Sequence, residues 1–398
     1  MSTSEMPQTS DDSVFDDIRP CRDDEVESEL QKIIQDRTVI NGILKFQSKS
    51  SALASLVYKL PAFMQNFLVG RFLSRQVREI HTVADFQLRV ANFMRSMSKT
   101  TADGVTYRGF DRLDPKLGYL FISNHRDISL DPAYIDMALY AHEMPTVRIA
   151  IGDNLLRMPV ATSLMRLNKS FIVKRSVTSP REKLKELTKL SEYIGLSIKE
   201  NNSIWIAERE GRAKDGNDRA ETAVLKMLGL AGRLQKKSFA EYMASLRIVP
   251  VSITYEFDPN DMAKAEELSE REKHNGEYHK EKMEDIDTIT RGIRGYKGRV
   301  SVVAGEPLSS GFSNAEELAA IIDRFVWDNY QMYPSTLISA GHGDRCTDAE
   351  RKKFEDRING YPEELRGRIR SMYARPYFNL HPEELPEAGE AKEPGEKA

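Results

Sequence analysis

The chain has 398 residues, a formal net charge of −3 and 40% hydrophobic residues, which suits one large domain with additions, or two domains, and excludes a globally disordered protein. Only two cysteines occur, Cys21 and Cys346, so neither a disulfide framework nor a CxxC metal pair is possible, and a reducing, cytoplasmic setting is expected. The N-terminal MSTSEMPQTSDDSVFDD lacks the basic and apolar regions of a secretory signal, and no apolar run approaches the ~18–20 residues of a membrane span.

Charge is unevenly spread. Residues 1–36 hold eleven acidic residues against three basic ones, and residues 382–398 hold six against two. Residues 1–24 and 381–398 therefore read as disordered acidic tails. Residues 166–237 hold seventeen Lys or Arg against nine Asp or Glu, which points to an anionic partner for the middle of the chain or to a set of solvated helix faces.

Residues 25–104 read as a helical region. In SALASLVYKLPAFMQNFLVGRFLSRQVREI, Leu53, Leu56, Val57, Leu60, Phe63, Phe67 and Leu68 recur at helical spacing, interrupted at Pro61. Such a stripe packs on a core; with Lys59, Arg71 and Arg75 beside it, it would also suit the surface of an anionic bilayer. From about residue 105 to 335 the pattern alternates. GYLFIS, TVRIAIG, KSFIVKR, NSIWIAE, RIVPVSITYE and RVSVVAGEPL read as strands separated by helical stretches. The expectation is an α/β domain with a mixed sheet covered by helices on both faces, in which functional residues gather where strands end and helices begin. Residues 259–296 form a charged helical insertion, expected to be solvent-exposed with His274 and His279 as surface residues. Residues 336–380 are a C-terminal extension. There is no internal repeat.

The stretch FISNHRDISLDPAYI, Phe121 to Ile135, carries the chemistry. It is not a kinase catalytic loop: Pro132 stands where the metal-binding Asn would be, and neither a glycine-rich loop nor a DFG is present. Asp131-Pro132 ahead of an apolar run also has the composition of a helix cap, and Asp127 that of a loop residue bonding its own backbone. A histidine at the end of a strand facing a carboxylate at a helix start has, equally, the geometry of an oriented general base.

The order of the motifs brings a family into view. NHRDISLD resembles the His-Asp motif of the glycerolipid acyltransferases, the glycerol-3-phosphate and 1-acylglycerol-3-phosphate acyltransferases. SFIVKRS, IAEREGRAKDG and RIVPVSITYE follow in the order of that family's further blocks, over roughly residues 105–310. Two departures stand out. Five residues separate His125 from Asp131 where the family has four, so Asp131 is the expected partner and Asp127 the alternative. The family's Glu-Gly-x-Arg appears as Glu210-Gly211-Arg212, with Glu208 and Arg209 just before it.

The resemblance implies an O-acyltransferase in which His125 deprotonates an acceptor hydroxyl as it attacks an acyl thioester. The donor would be acyl-CoA or acyl-ACP (acyl carrier protein), a co-substrate, with no cofactor or metal. The acceptor would be a phosphate-bearing lipid precursor, lysophosphatidate or glycerol-3-phosphate, anchored by Lys174, Arg175 and Arg212. Glu210 would brace Arg212 or contact the acceptor, and backbone N–H groups around Gly211 would hold the oxyanion. Pro250, inside an apolar strand, marks a bulge or shapes the acyl site. DGND, Asp215 to Asp218, reads as a turn, since it lacks the spacing of a calcium loop. Nucleic acid is not expected as a partner; peripheral contact with the inner face of a membrane is. The alternatives are an acyltransferase for a different lipid or hydroxylated acceptor, and a non-catalytic lipid- or acyl-carrier-binding protein of the same fold.

Overall fold

A computed structural model describes residues 12–47, 52–156, 159–281 and 283–385. Seven strands occur among them: β1 Gly104–Arg108, β2 Leu120–Ser123, β3 Arg148–Gly152, β4 Ser170–Val173, β5 Ile204–Ala207, β6 Ile248–Tyr255 and β7 Arg299–Ala304. The chain divides into two compact units, one of residues 1–92 and 148–193 and a larger one of residues 93–147 and 194–398.

In the larger unit the strands run in the order β1-β7-β6-β2-β5. β2 lies parallel to both β5 and β6, β1 parallel to β7, and β6 antiparallel to β7. The sheet is therefore mixed, as expected. β2 and β6 are buried along their whole length, which is why they read as continuous apolar runs rather than alternating ones. The helix Ala315–Asn329 follows β7, and Ser252 Oγ on β6 donates to the Val326 carbonyl at 2.9 Å. β1 has no counterpart in the sequence reading. GVTYR has only two apolar side chains, it alternates between exposed and half-buried positions, and it ends the strand order.

Pro250 sits on a central strand without breaking it. The carbonyls of Ile248 and Pro250 face the β7 side, where they accept from Leu308 and Gly305. The regular β6–β7 ladder begins only at Val251, opposite Ala304. The N–H that proline lacks thus falls where the ladder has given way to a single bridge between Ile248 and Leu308.

The charged insertion is not the solvated appendage its composition suggests. Its helices, Asp261–Lys273 and Glu284–Arg294, bury Asp261, Lys264, Ala265, Glu267, Thr288 and Gly292. Ala265 joins a core with Phe257, Phe354, Ile358, Leu365, Ile369, Met372 and Tyr373, which ties the C-terminal extension to the insertion. Charged side chains enter this interior because each finds a partner. Asp261 accepts from Arg357, Tyr361 and Tyr373, and Lys264 donates to Asp258 and to the Arg126 carbonyl. His274 and His279 are exposed, as expected.

The smaller unit holds the parallel pair β3–β4 and a set of helices. Residues 12–24 are folded here, contrary to the expectation of a disordered tail. Ile18 is buried and its carbonyl accepts from Ile172 N, Cys21 N donates to the Arg166 carbonyl, and Cys21 packs with Val26, Leu30, Ile80, Val83 and Leu167. A few apolar anchors outweigh the local excess of acid, which is itself paired: Arg19 with Glu25, and Asp17 with Lys174 and Lys189. Residues 1–11 and 386–398 of the two acidic tails lie outside the described residues. The apolar stripe predicted to pack on a core does so only in part. Val57, Val69 and Leu73 pack with Ile40 and Leu44, while Leu56, Phe63, Phe67, Leu68 and Phe72 are exposed. Leu53 lies among residues whose side chains are not described.

Candidate active site

β2 is short and apolar, and it delivers Asn124 and His125 to its C-terminal end. Asn124 is fully buried and clamps that end to β6: its Nδ2 donates to the Ile253 carbonyl and its Oδ1 accepts from Ile253 N. The next helix runs from Leu130 to Ala141 with Ser129 at its cap position. Asp131 is therefore inside the first turn rather than at the cap. Its carboxylate folds back over the loop. Oδ2 accepts from His125 Nδ1 at 2.8 Å, from Arg126 N at 2.7 Å and from Asp127 N at 2.9 Å, and Oδ1 accepts from the Tyr255 hydroxyl at 2.8 Å.

Asp127 does something different. Its Oδ1 accepts from Ser129 N at 3.0 Å and Leu130 N at 2.9 Å, closing the helix start. Its other oxygen faces Asn260 Nδ2 and the backbone of Gly292 in the insertion. Burial, reinforced by the neighbouring Asp131 charge, pushes the Asp127 carboxyl above its ordinary range. The loop thus contains two aspartates with separate tasks, and the imidazole faces Asp131.

The imidazole is restrained on another side by Trp205 of β5, whose ring stands edge-on at 5.6 Å and whose indole N–H donates to Ser123 Oγ. His125 keeps 13% of its side chain exposed, whereas Asp131 keeps none. An imidazole that donates its Nδ1–H to a fixed carboxylate has its Nε2 lone pair available to a substrate hydroxyl.

The loop after β5 joins the histidine loop through its backbone, for Ala213 N donates to the His125 carbonyl at 3.0 Å. Arg212, one residue before, is half-buried. Gly211 is exposed and takes φ +76, the left-handed region that suits glycine. Glu210 is exposed, and its N–H donates to Glu221. Lys174 and Arg175 belong to the smaller unit. Lys174 pairs there with Asp17 at 2.5 Å and with Glu186 at 3.1 Å, and Arg175 N donates to Asp153 Oδ1. Pro250 is buried in β6, in register with Ile122 of β2.

Residues that sequence reasoning passed over support the loop from beneath. The Arg126 guanidinium is buried and pairs with Asp218, the last residue of the predicted DGND turn. That turn forms, with Gly216 at φ +81 and Asn217 N donating to Asp215, but its final aspartate points inward. Glu208 at the end of β5 is fully buried, and neither carboxylate oxygen has a hydrogen-bond partner. Burial, and then the charges of Asp218 and Asp323, push its carboxyl well above the ordinary 4.5. Of the two glutamates that the altered motif left open, Glu208 is the interior one and Glu210 the surface one. Nothing local distinguishes them; only the strand end at Ala207 does. Among the described residues, one group of three metal-capable side chains occurs, His381, Glu383 and Glu384, near the C-terminus, with both glutamates exposed and the histidine partly so.

Residues 104–254 match the model of the Acyltransferase family. No curated protein sequence matches the chain. Among solved structures, the chain is similar to the 1-acyl-sn-glycerophosphate (LPA) acyltransferase of Thermotoga maritima, at 16% identity and a TM-score of 0.35, covering 73% of this chain and 95% of that one.

Proposed function

We propose, proceeding from the Acyltransferase-family domain that residues 104–254 form, that the protein transfers a fatty acyl group from acyl-CoA or acyl-ACP to the hydroxyl of a glycerol-phosphate lipid precursor, lysophosphatidate or glycerol-3-phosphate. The observation that carries this reading is the 2.8 Å hydrogen bond between His125 Nδ1 and a buried carboxylate that three further donors hold in place. It leaves Nε2 as a base at the end of a strand.

A hydroxyl is a poor nucleophile at neutral pH. His125 Nε2 takes its proton as the oxygen attacks the thioester carbonyl. Asp131 stabilises the imidazolium that forms, and the tetrahedral intermediate collapses with the thiolate leaving. The imidazolium proton then passes to that sulfur, and the histidine is restored. Base assistance of this kind is worth about 10²–10⁴ in rate. Backbone N–H groups around Gly211 are the proposed donors to the oxyanion.

Arg212 is the proposed anchor for the acceptor phosphate. It stands one residue from the backbone bond to His125, and a guanidinium holds phosphate through two parallel N–H bonds. Lys174 is the weaker candidate because Asp17 and Glu186 already take up its charge. Membrane contact is proposed at the helix Ala62–Val77, which presents Phe63 at 72% exposure and Phe67 at 67%. Arg71 and Arg75 lie on the same helix, a composition that favours an anionic lipid surface. No helix among the described residues is long and apolar enough to cross a membrane.

The test is thiol release from palmitoyl-CoA with a panel of alcohols, comparing wild type with His125→Ala and identifying the lipid products by mass spectrometry. Release that requires a glycerol-phosphate acceptor and collapses in the variant is expected. Equal rates in the two proteins would remove His125 from the mechanism, and turnover only with acceptors lacking phosphate would remove the proposed substrate.

A further inference from the structure

Asp131 is held by four donors that are unequally divided. Oδ2 takes three hydrogen bonds from its own loop, while Oδ1 takes one, from a residue 124 positions away at the end of β6. We propose that Tyr255 is a positioning residue for the acyl transfer: its hydroxyl pins Asp131 Oδ1, so that Oδ2 stays on His125 Nδ1 and the imidazole presents an unprotonated Nε2 to the acceptor. This rests on the reading of His125 as the general base.

Three observations support the assignment. First, Asp131 is completely buried, so Oδ1 has no water to turn to, and an unpartnered carboxylate oxygen there is costly. The Tyr255 hydroxyl is what satisfies it. Second, Tyr255 itself is fixed. It is the last residue of β6, opposite Val300 of β7, and its ring packs against Tyr134 at 6.0 Å. Tyr134 lies on the same helix as Asp131, so one tyrosine braces the ring that holds the carboxylate. Third, Tyr255 remains a donor at any physiological pH, because burial and then the Asp131 charge push its phenol well above 10.

The strand end is what makes the device work. A carboxylate bound only by its own loop can swing about its Cβ–Cγ bond, and each swing moves the acceptor away from Nδ1. Three bonds converging on one oxygen restrain its position but leave the plane of the group free. A fourth bond, from an element outside the loop, fixes that plane and with it the ring tautomer. Tyr255 also lines a small cavity with Arg126, Lys214, Asp258, Asp261, Tyr330 and Met372. Phe at this position removes the hydroxyl and keeps the packing against Tyr134.

The experiment uses the full chain carrying Tyr255→Phe, with kcat and KM measured for palmitoyl-CoA and the best acceptor. Nitrogen-15 NMR of histidine-labelled protein, with the His125 signal assigned by His125→Gln, reads the tautomer. The expected result is a fall in kcat of about tenfold, the loss of one hydrogen bond to a charged group, with both KM values unchanged and a second tautomer visible at His125. A folded variant with wild-type kcat and a pure Nδ1–H tautomer overturns the proposal. Site-specific 3-fluorotyrosine at 255, nearly isosteric and a stronger donor, covers the case in which the phenylalanine variant does not fold. It should move the Nδ1 proton resonance of His125 upfield, as Asp131 gives more of its charge to the phenol; an unmoved resonance overturns the proposal. The NMR readouts do not depend on turnover, so they remain decisive if no acceptor is found and the acyltransferase reading itself fails.

Discussion

The carboxylate of Asp127 and the backbone of Gly292 are in direct contact: a Cβ added to that glycine would lie 2.3 Å from Oδ2. The charged insertion thus reaches the loop that carries His125, and no side chain fits between them. Gly292→Ala supplies a sign test. On an exposed helix the change would stabilise by about 1 kcal/mol. Here it should destabilise by about 1–3 kcal/mol, as overpacking does, and reduce activity along with stability. A stabilised variant in a denaturant titration would show that the contact is absent.

The two aspartates should separate by kinetics. Asp131→Asn keeps the shape but removes the charge that orients and stabilises the imidazole, and kcat should fall by about 10²–10⁴. Asp127→Asn keeps an acceptor for Ser129 N and Leu130 N, so its effect should be on stability, at about 1 kcal/mol or less, with kcat within a few-fold of wild type. Reversal of the two phenotypes would make Asp127 the partner of the base.

Glu208 makes stability depend on pH in a direction opposite to that of a salt-bridged carboxylate. Its folded value is raised above the ordinary 4.5, so the folded protein holds that proton more tightly than the unfolded chain. The resulting stability is complete below about pH 4.5 and is lost as pH rises toward the folded value. Glu208→Gln removes this dependence. Denaturant titrations over a pH series should show the variant gaining on wild type as pH rises above 4.5, with a constant difference below it. A difference that is flat throughout would mean that Glu208 is not held protonated.

Arg126 is the counter-charge in the same interior. Arg126→Met leaves Asp218 buried without its partner, close to Glu208. Breaking such a pair on one side costs about 3–5 kcal/mol. The loss, measured by denaturation, should be largest at neutral pH and shrink in acid as Asp218 takes up a proton. An equal loss at both ends would point to packing instead of charge.

The exposed phenylalanines give a prediction that leaves catalysis aside. Phe63→Ser with Phe67→Ser should abolish sedimentation with anionic phosphatidylglycerol vesicles and leave the melting temperature near that of wild type, because neither ring is buried. Vesicle binding that survives the double change would move the membrane contact elsewhere.

Much of this was determined by the sequence alone. Alternation of apolar strands with amphipathic helices marks an α/β sheet, because each strand buried on both faces must be written in apolar residues. The position of His125 follows from the same logic, since the apolar run that makes β2 ends at Ile122, with only Ser123 between it and Asn124. What the sequence left open was settled by contacts across long separations. Asp131 is the expected partner and Asp127 the alternative, four residues apart in one loop; the backbone fold of that loop turned Asp131 toward the imidazole and Asp127 toward Asn260. Tyr255, Gly292 and Lys264 carry no local mark of their tasks, for a phenol, a glycine and an ammonium in charged or apolar company look ordinary until the chain returns them to the loop. Composition also misjudged the acidic residues 12–24 and the insertion. Charge per residue records what a segment would prefer in isolation, whereas burial is decided by the partners that the tertiary structure brings to it.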